Sequence, residues 1–433
     1  MNTDTKINWE QVQAARSAGN WTAVVQYLQN SILEEGQRGQ LLELSIDVLV
    51  AGDFHERWEI AKVFPKLRQS ASGVEEVIAP LVEILADADA EAELRWYAAR
   101  ILGDFNHPDV ISALVELLKN SESEELSAIA ASALGQIGSP AVAALTDLLQ
   151  EEETRLLAVR SLSHIRRSET ITPLLSVVQD QQIAVRAAAI EALSSFHDPR
   201  IAPVLLNALD DIAAPVRREA VIGLSFRSDL REELDLVNQL LPKLYDFNLS
   251  VCTATAIALG RLGTNTAASA LYQVLKSPIT PVSLQIEIVR ALSRVETPTQ
   301  LEYLRSALNQ LTSPQLWQEI VTVLGRVEQP LTTRAAEILI QILKISHPAT
   351  QHENIKSAIA LSLGQLGEMS ALEPLIELLA PDAGVRLHAI AALKNLAPEV
   401  AYQQLQQLVS SESLTPQLKE GIAIAIAEWS KAS

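Results

Sequence analysis

The sequence predicts an all-α protein, a right-handed superhelical solenoid of about twelve helix pairs. Three observations carry that prediction. One phrase returns along most of the chain, its apolar residues recur at helical spacing, and the alternating pattern of a half-buried strand is absent. The phrase is clearest in VRAAAIEALSSF at 185–196 and VRREAVIGLSF at 216–226, where Arg186 and Arg217 hold matching places.

Taken in order, the copies begin at Arg57 (RWEIAKVFPKL), Arg95 (RWYAARILGDF), Ser127 (SAIAASALGQI) and Arg155 (RLLAVRSLSHI), then Arg186 and Arg217. Weaker copies follow at Cys252, Gln285 and Trp317, and further copies come toward the end at Lys356, Arg386 and Lys419. The period is about 30–38 residues, the range of helical repeat arrays. Each unit reads as two helices. The phrase is the second: apolar residues at 185, 189, 192, 193 and 196 lie on one face, and its alanines allow close approach. The first is a shorter apolar run such as TPLLSVVQD or EPLIELLA, with Pro80, Pro173, Pro203 or Pro374 expected near its start. A single pair leaves apolar surface bare, so neighbouring pairs stack. Residues 1–36 lack the phrase and read as a helical cap with Asn20 as an N-cap, and 37–433 read as the repeat array. The stretch LREELDLVNQLLPKLYDFNLS suggests a long first helix, with a bend or irregular unit near 230–250, and SHPATQHEN at 346–354 reads as an exposed loop able to hold a partner.

Composition narrows the function. Acids outnumber bases 53 to 34 for a net charge of −19. That balance disfavours nucleic acid and anionic membrane as partners, since both need a basic footprint. One cysteine, Cys252, leaves no intramolecular disulfide and no self-contained cysteine-ligated metal or cluster, and it reads as a small buried residue. The N-terminus shows no signal peptide and no stretch is long and apolar enough to span a bilayer, so the expected location is the cytoplasm.

The repeat resembles the HEAT-repeat family, and within it the short phycobilisome-lyase-like repeats of cyanobacterial proteins. The residues that carry the resemblance are the acid-then-arginine pairs Asp89/Arg95, Asp180/Arg186 and Asp211/Arg217, followed by A-x-x-A-L. The resemblance implies an Asp–Arg ladder linking successive units, lapsing here at Ser127, Cys252, Gln285 and Trp317. It also implies a non-enzymatic scaffold that binds a protein partner, an IscA-type protein of iron–sulfur cluster assembly or a phycobiliprotein subunit. A phycobilisome-degradation helper shares the same repeat. If the chain is instead a bilin lyase or lyase-isomerase, a bilin tetrapyrrole is its transferred ligand; otherwise no cofactor is implied.

The chemistry in the residues agrees with a binding role. No phosphate-binding glycine loop and no nucleophile elbow occurs. His55-Glu56 and His352-Glu353 stand in unlike contexts, one before a helix and one in a loop, and do not make the compact ligand cluster iron needs, so no metal site is expected. The candidate partner site lies on the second helices of the early units, the expected concave lining. Trp58 and Trp96 each follow a ladder arginine, and Lys62, Arg100 and Arg160 stand one turn further on. Aromatic anchors beside cations, in an otherwise acidic chain, suit an anionic planar ligand or an acidic, aromatic peptide.

Overall fold

The computed structural model describes residues 9–30, 38–67, 74–295, 297–380, 383–410 and 414–430. Among the described residues there is helix and loop and no strand. Two compact units divide the chain, Met1–Val204 and Leu205–Ser433.

In the first unit a hairpin of helices Trp9–Ser17 and Trp21–Asn30 leads in. Asn20 caps the second of these, its Oδ1 accepting the Ala23 N–H at 3.1 Å. The predicted end of this cap, near residue 36, lies outside the described residues. The pairs then run Arg38–Ala51 with Phe54–Ala61, Val74–Ala86 with Ala92–Leu102, and Pro108–Asn120 with Glu124–Ile137. Val142–Leu148 with Arg155–Ile165 and Ile171–Leu175 with Ile183–Leu193 complete it. Helix Ile201–Ala208 contains the boundary and is followed by Ala214–Ser225, which carries Arg217; beyond it, the first helices of the second unit are Leu236–Leu240, Asn265–Leu275, Pro298–Gln310, Thr332–Lys344, Leu372–Glu377 and Pro398–Val409. Their partners are Leu249–Leu262, Val282–Leu292, Pro314–Leu324, Glu353–Leu366, Ala383–Leu396 and Pro416–Ser430.

Two local expectations change. Pro80 sits inside helix Val74–Ala86 rather than at its start, while Pro173, Pro203 and Pro374 stay in first turns, where the missing N–H costs little. The long first helix read from 230–250 does not form. Asp235 takes a left-handed φ of 48°, and the chain makes only Leu236–Leu240 followed by a 3₁₀ turn, Leu241–Tyr245. The loop at 346–354 is also tied down: His347 is buried, its ring 5.5 Å edge-on from Trp317, and its Nδ1 accepts the Ala349 N–H at 3.1 Å. Burial in that apolar setting pushes the His347 imidazole below its usual pKa.

Successive second helices meet through small residues. Ala130, Ala189, Ala220 and Ala256 are fully buried. A Cβ on Gly103 would stand 3.1 Å from Ala133 Cα, so the helices approach at nearly backbone contact. Leucine at position 189 therefore has no space to enter, and Ala189→Leu is expected to destabilise the fold by about 1–3 kcal/mol. A urea midpoint equal to wild type would show that the face is looser than this packing implies.

The ladder works differently from the pairing expected. At nine of the ladder positions among the described residues the side chain first binds a main-chain carbonyl at the end of its own unit's first helix or in the following loop. Arg57 Nε donates to Leu49 at 3.0 Å, Arg95 Nε to Leu85 at 3.1 Å, and Arg155 Nε to Leu149 at 2.7 Å. Arg186 donates to the Asp180 carbonyl at 2.7 Å, Arg217 to the Asp211 carbonyl at 2.9 Å, and Arg386 to Leu379 at 2.9 Å. Three of the four supposed lapses do the same work: Cys252 Sγ reaches the Asp246 carbonyl at 3.1 Å, Gln285 reaches Leu275 at 2.8 Å, and Trp317 Nε1 reaches Leu311 at 2.8 Å. The constraint is a donor for carbonyls left unpaired at a helix end, and several side chains satisfy it.

Arginine adds a second bond, to a carboxylate of the following unit. Arg57 pairs with Glu91 at 2.9 Å and Glu93 at 3.2 Å, Arg155 with Asp180 at 2.7 Å, and Arg217 with Asp246 at 2.7 Å. So Asp180 serves the preceding unit's arginine, and only its main chain meets Arg186. Asp89 is exposed, with Glu91 and Glu93 in the role expected of it. Its main-chain N–H donates to Asp87 at 2.9 Å.

Candidate interaction site

The aromatic and basic residues of the early second helices gather around Arg100. Helix Phe54–Ala61 carries Trp58, and its start is fixed by Asp53 and Glu56, whose side chains accept each other's main-chain N–H, both at 2.9 Å. Glu56 also accepts the Thr22 hydroxyl at 2.7 Å, so the His55-Glu56 pair belongs to a helix cap. Helix Ala92–Leu102 carries Trp96 and Arg100. Its anchor is Tyr97, fully buried, with its hydroxyl donating to the Phe54 carbonyl at 3.2 Å and its ring 5.2 Å edge-on from Trp96. Burial, helped by Glu93, raises the Tyr97 pKa, so the phenol stays a neutral donor.

With both helices held, the Arg100 guanidinium lies 4.4 Å from the Trp58 ring centre and 5.8 Å from that of Trp96. Lys62 stands 5.8 Å from the Trp58 ring on the same side chain cluster. The two cations differ in availability. Lys62 is ion-paired with Glu59, and that hydrogen bond, with a second from Gln29, holds the Glu59 carboxyl below its usual range. Arg100 is exposed and makes no ion pair among the described residues. A guanidinium stacked on rings keeps its in-plane N–H edge open for a carboxylate or phosphate fork.

Arg160 is placed apart from this cluster. It lines a groove of about 540 Å³ with Ser123, Ser127, Leu157 and His164, between helices Glu124–Ile137 and Arg155–Ile165. Of the five residues read as one stripe, four therefore converge and one does not. The residue that sequence reasoning missed is Tyr97; its signal was its place beside Trp96 on a helix whose neighbours are alanine. Among the described residues no group of three His, Cys, Asp or Glu side chains converges. Likewise no single helix there is long and apolar enough to cross a membrane.

Comparison with solved structures places this architecture among large helical repeat proteins. A chain of a homology model of the full-length AP-3 complex in an intermediate open conformation aligns over 98% of this chain and 93% of its own, at 11% identity and a TM-score of 0.52. Kap95p, in a structure describing its binding to RanGDP, aligns over 97% of this chain at 14% identity and TM-score 0.56. Importin beta aligns over 97% at 13% identity and TM-score 0.54. The chain spans only 63% and 64% of those last two proteins' lengths. No curated protein sequence matches it. The model for HEAT repeats, however, matches residues 78–155, 150–225 and 339–427, more than half of the sequence, and the chain belongs to the HEAT-repeat family.

Proposed function

We propose that the chain is a non-enzymatic interaction scaffold that captures a protein partner on the second-helix face of its first unit, with Trp58, Lys62, Trp96 and Arg100 as the contact residues. One observation carries the reading: Arg100 lies over two tryptophan rings, exposed, and without an ion-pair partner among the described residues. In a chain of net charge −19 such a cation would ordinarily be neutralised by a neighbour. Left open beside two aromatic rings, it suits a carboxylate or phosphate carried beside a planar or apolar group. Arg160 takes part only where the partner extends to its separate groove.

The family resemblance supplies the finer candidates. An IscA-type protein, with the chain acting in iron–sulfur cluster assembly, is the first, by likeness to the IscA-interacting HEAT-repeat protein of cyanobacteria. A phycobiliprotein subunit is the second, and the same observation favours it, since a bilin joins two propionates to a long π-system. On this reading the bilin is cargo rather than a resident cofactor. The repeat solenoids of the karyopherin structures support the scaffold reading in kind, Kap95p being described bound to RanGDP.

Purified IscA-type protein and a bilin-bearing phycobiliprotein subunit, each titrated into the chain by calorimetry, test the proposal. Trp96→Ala with Arg100→Ala is expected to weaken binding of the true partner by about 2 kcal/mol or more with helicity unchanged. Wild-type affinity in the folded double variant moves the site elsewhere.

A further inference from the structure

One rung of the arginine ladder is unfilled. Arg57, Arg155 and Arg217 each hold a main-chain carbonyl of their own unit and a carboxylate of the next. Arg95 keeps the first bond, to Leu85 at 3.1 Å, and makes no ion pair among the described residues. The register says why. In two of the filled rungs the carboxylate lies six residues before the next ladder position, Asp180 before Arg186 and Asp246 before Cys252, and the matching place before Ser127 is held by Ser121. Arg57 instead uses Glu91 and Glu93, four and two before Arg95, where the matching residues are Ser123 and Glu125, the latter exposed and not paired with Arg95. The Ser121 hydroxyl donates to the Ser123 carbonyl at 3.3 Å and offers Arg95 no charge.

The place the carboxylate would take opens into a groove of about 660 Å³. That volume falls in the range of ligand pockets. Arg95 lines it together with Val82, Leu85 and Leu117, and the wall from helix Pro108–Asn120 adds Asp109 and Glu116. Asp109, Ala113, Glu116 and Asn120 recur every three to four residues, so they share one face, and at about 1.5 Å per residue the stretch from Asp109 to Ser121 is about 18 Å long. Both acids remain exposed; Glu116 accepts the Asn120 amide at 2.8 Å and Asp109 lies 3.7 Å from His107. One cation, an apolar floor and two carboxylates repel a small free anion on balance. They complement a segment carrying both signs.

We infer that this groove receives a segment of a partner protein that sets a carboxylate on Arg95, apolar side chains on Val82, Ala86 and Ala113, and a basic residue against Glu116 and Asp109. The incoming acid completes the rung that Ser121 leaves open. This site is distinct from the Arg100 surface: five residues separate the two arginines on one helix, about 140° around its axis.

The test uses the full chain and a fluorescein-labelled, alanine-based helical peptide bearing one Glu, two Leu and two Lys in that order. Its control replaces Glu with Gln. Arg95→Gln keeps the anchoring bond, because Gln285 already makes it to Leu275 at 2.8 Å, and removes only the charge. Ser121→Asp supplies the missing carboxylate from within. The expected result is saturable binding of the Glu peptide to wild type, weakened about tenfold or more by Arg95→Gln, by Ser121→Asp and by the Gln control. Ser121→Asp is also expected to raise the melting temperature. The proposal is overturned if Arg95→Gln or the Gln peptide binds as wild type does, if no binding is seen, or if sodium glutarate displaces the peptide as well as unlabelled peptide does. Should Ser121→Asp disturb the fold, the Arg95→Gln and peptide comparisons still decide the matter.

Discussion

Replacing Asp246 with alanine is expected to cost the second unit about 3 kcal/mol of stability, the lower end for breaking a buried ion pair. The Asp246 side chain is 7% exposed and that of Arg217 14%. Arg217 presents Nε at 2.8 Å and Nη2 at 2.7 Å to the two carboxylate oxygens, a planar fork, while the Asn248 N–H adds a third bond at 2.8 Å. The guanidinium is also fixed from behind, because Nη1 donates to the carbonyls of Asp211 and Ile212 at 2.9 and 3.0 Å. Removing the carboxylate thus leaves a mostly buried cation with no means of turning toward water. The pair also sets a pH dependence. Hydrogen bonding from Arg217, opposed by partial burial, holds Asp246 below the usual carboxylate range. A carboxyl with a depressed folded pKa contributes its full share above the unfolded aspartate value of about 3.9. That share is lost as pH falls through the lower folded value. Urea midpoints of wild type and variant should differ by a constant amount from pH 5 to 8, and the gap should narrow as pH falls below the unfolded aspartate value of about 3.9. A gap unchanged at the acid end would falsify the ion pair as its source.

Valine at position 260 is expected to be equally damaging, at about 3 kcal/mol, for steric reasons. An ideal Cβ there stands 2.7 Å from the Ala291 carbonyl oxygen, 2.9 Å from its Cα and 3.0 Å from its Cβ. Two of those three atoms are backbone of helix Val282–Leu292, so relief requires the whole helix to shift. The gain in helix propensity from replacing glycine is less than 1 kcal/mol and does not offset this. Thermal unfolding should show a lowered midpoint with helicity preserved below it. An unchanged midpoint would mean that the two second helices are not in contact along Gly260 and Ala291. Gly364 against Ala392, with 2.7 Å to its Cβ, is the same contact in a later pair and should respond alike.

These two positions were unequally legible. A glycine one turn from a helix end, as in ALGRLG, reads from sequence as a helix stop, and Gly263 at φ 66° does that. Gly260 serves close approach instead, which only the neighbouring helix reveals. The ladder was legible as a position and illegible as a set of partners. Arg186 and Asp180 recur together in sequence, so they read as a pair, yet the Asp180 carboxylate goes to Arg155, 25 residues earlier. Cys252, Gln285 and Trp317 looked like failures of a charge pattern because the requirement they meet, a donor for a helix-end carbonyl, is indifferent to charge.

What the sequence determined by itself is the architecture: the repeat, the helical period of its apolar residues and the alanine faces are local patterns restated a dozen times, and stacking is their only way to bury that surface. It also singled out Trp58, Trp96 and Arg100 as chemically apart from their surroundings. Only the tertiary structure decided that Arg100 lies over both rings while Arg160 faces another groove, that Lys62 is neutralised by Glu59, and that Arg95 lacks the carboxylate its counterparts have. Those outcomes depend on which loop brings which acid within about 4 Å of a guanidinium, a range at which the attraction is set by tertiary placement rather than by the local sequence pattern.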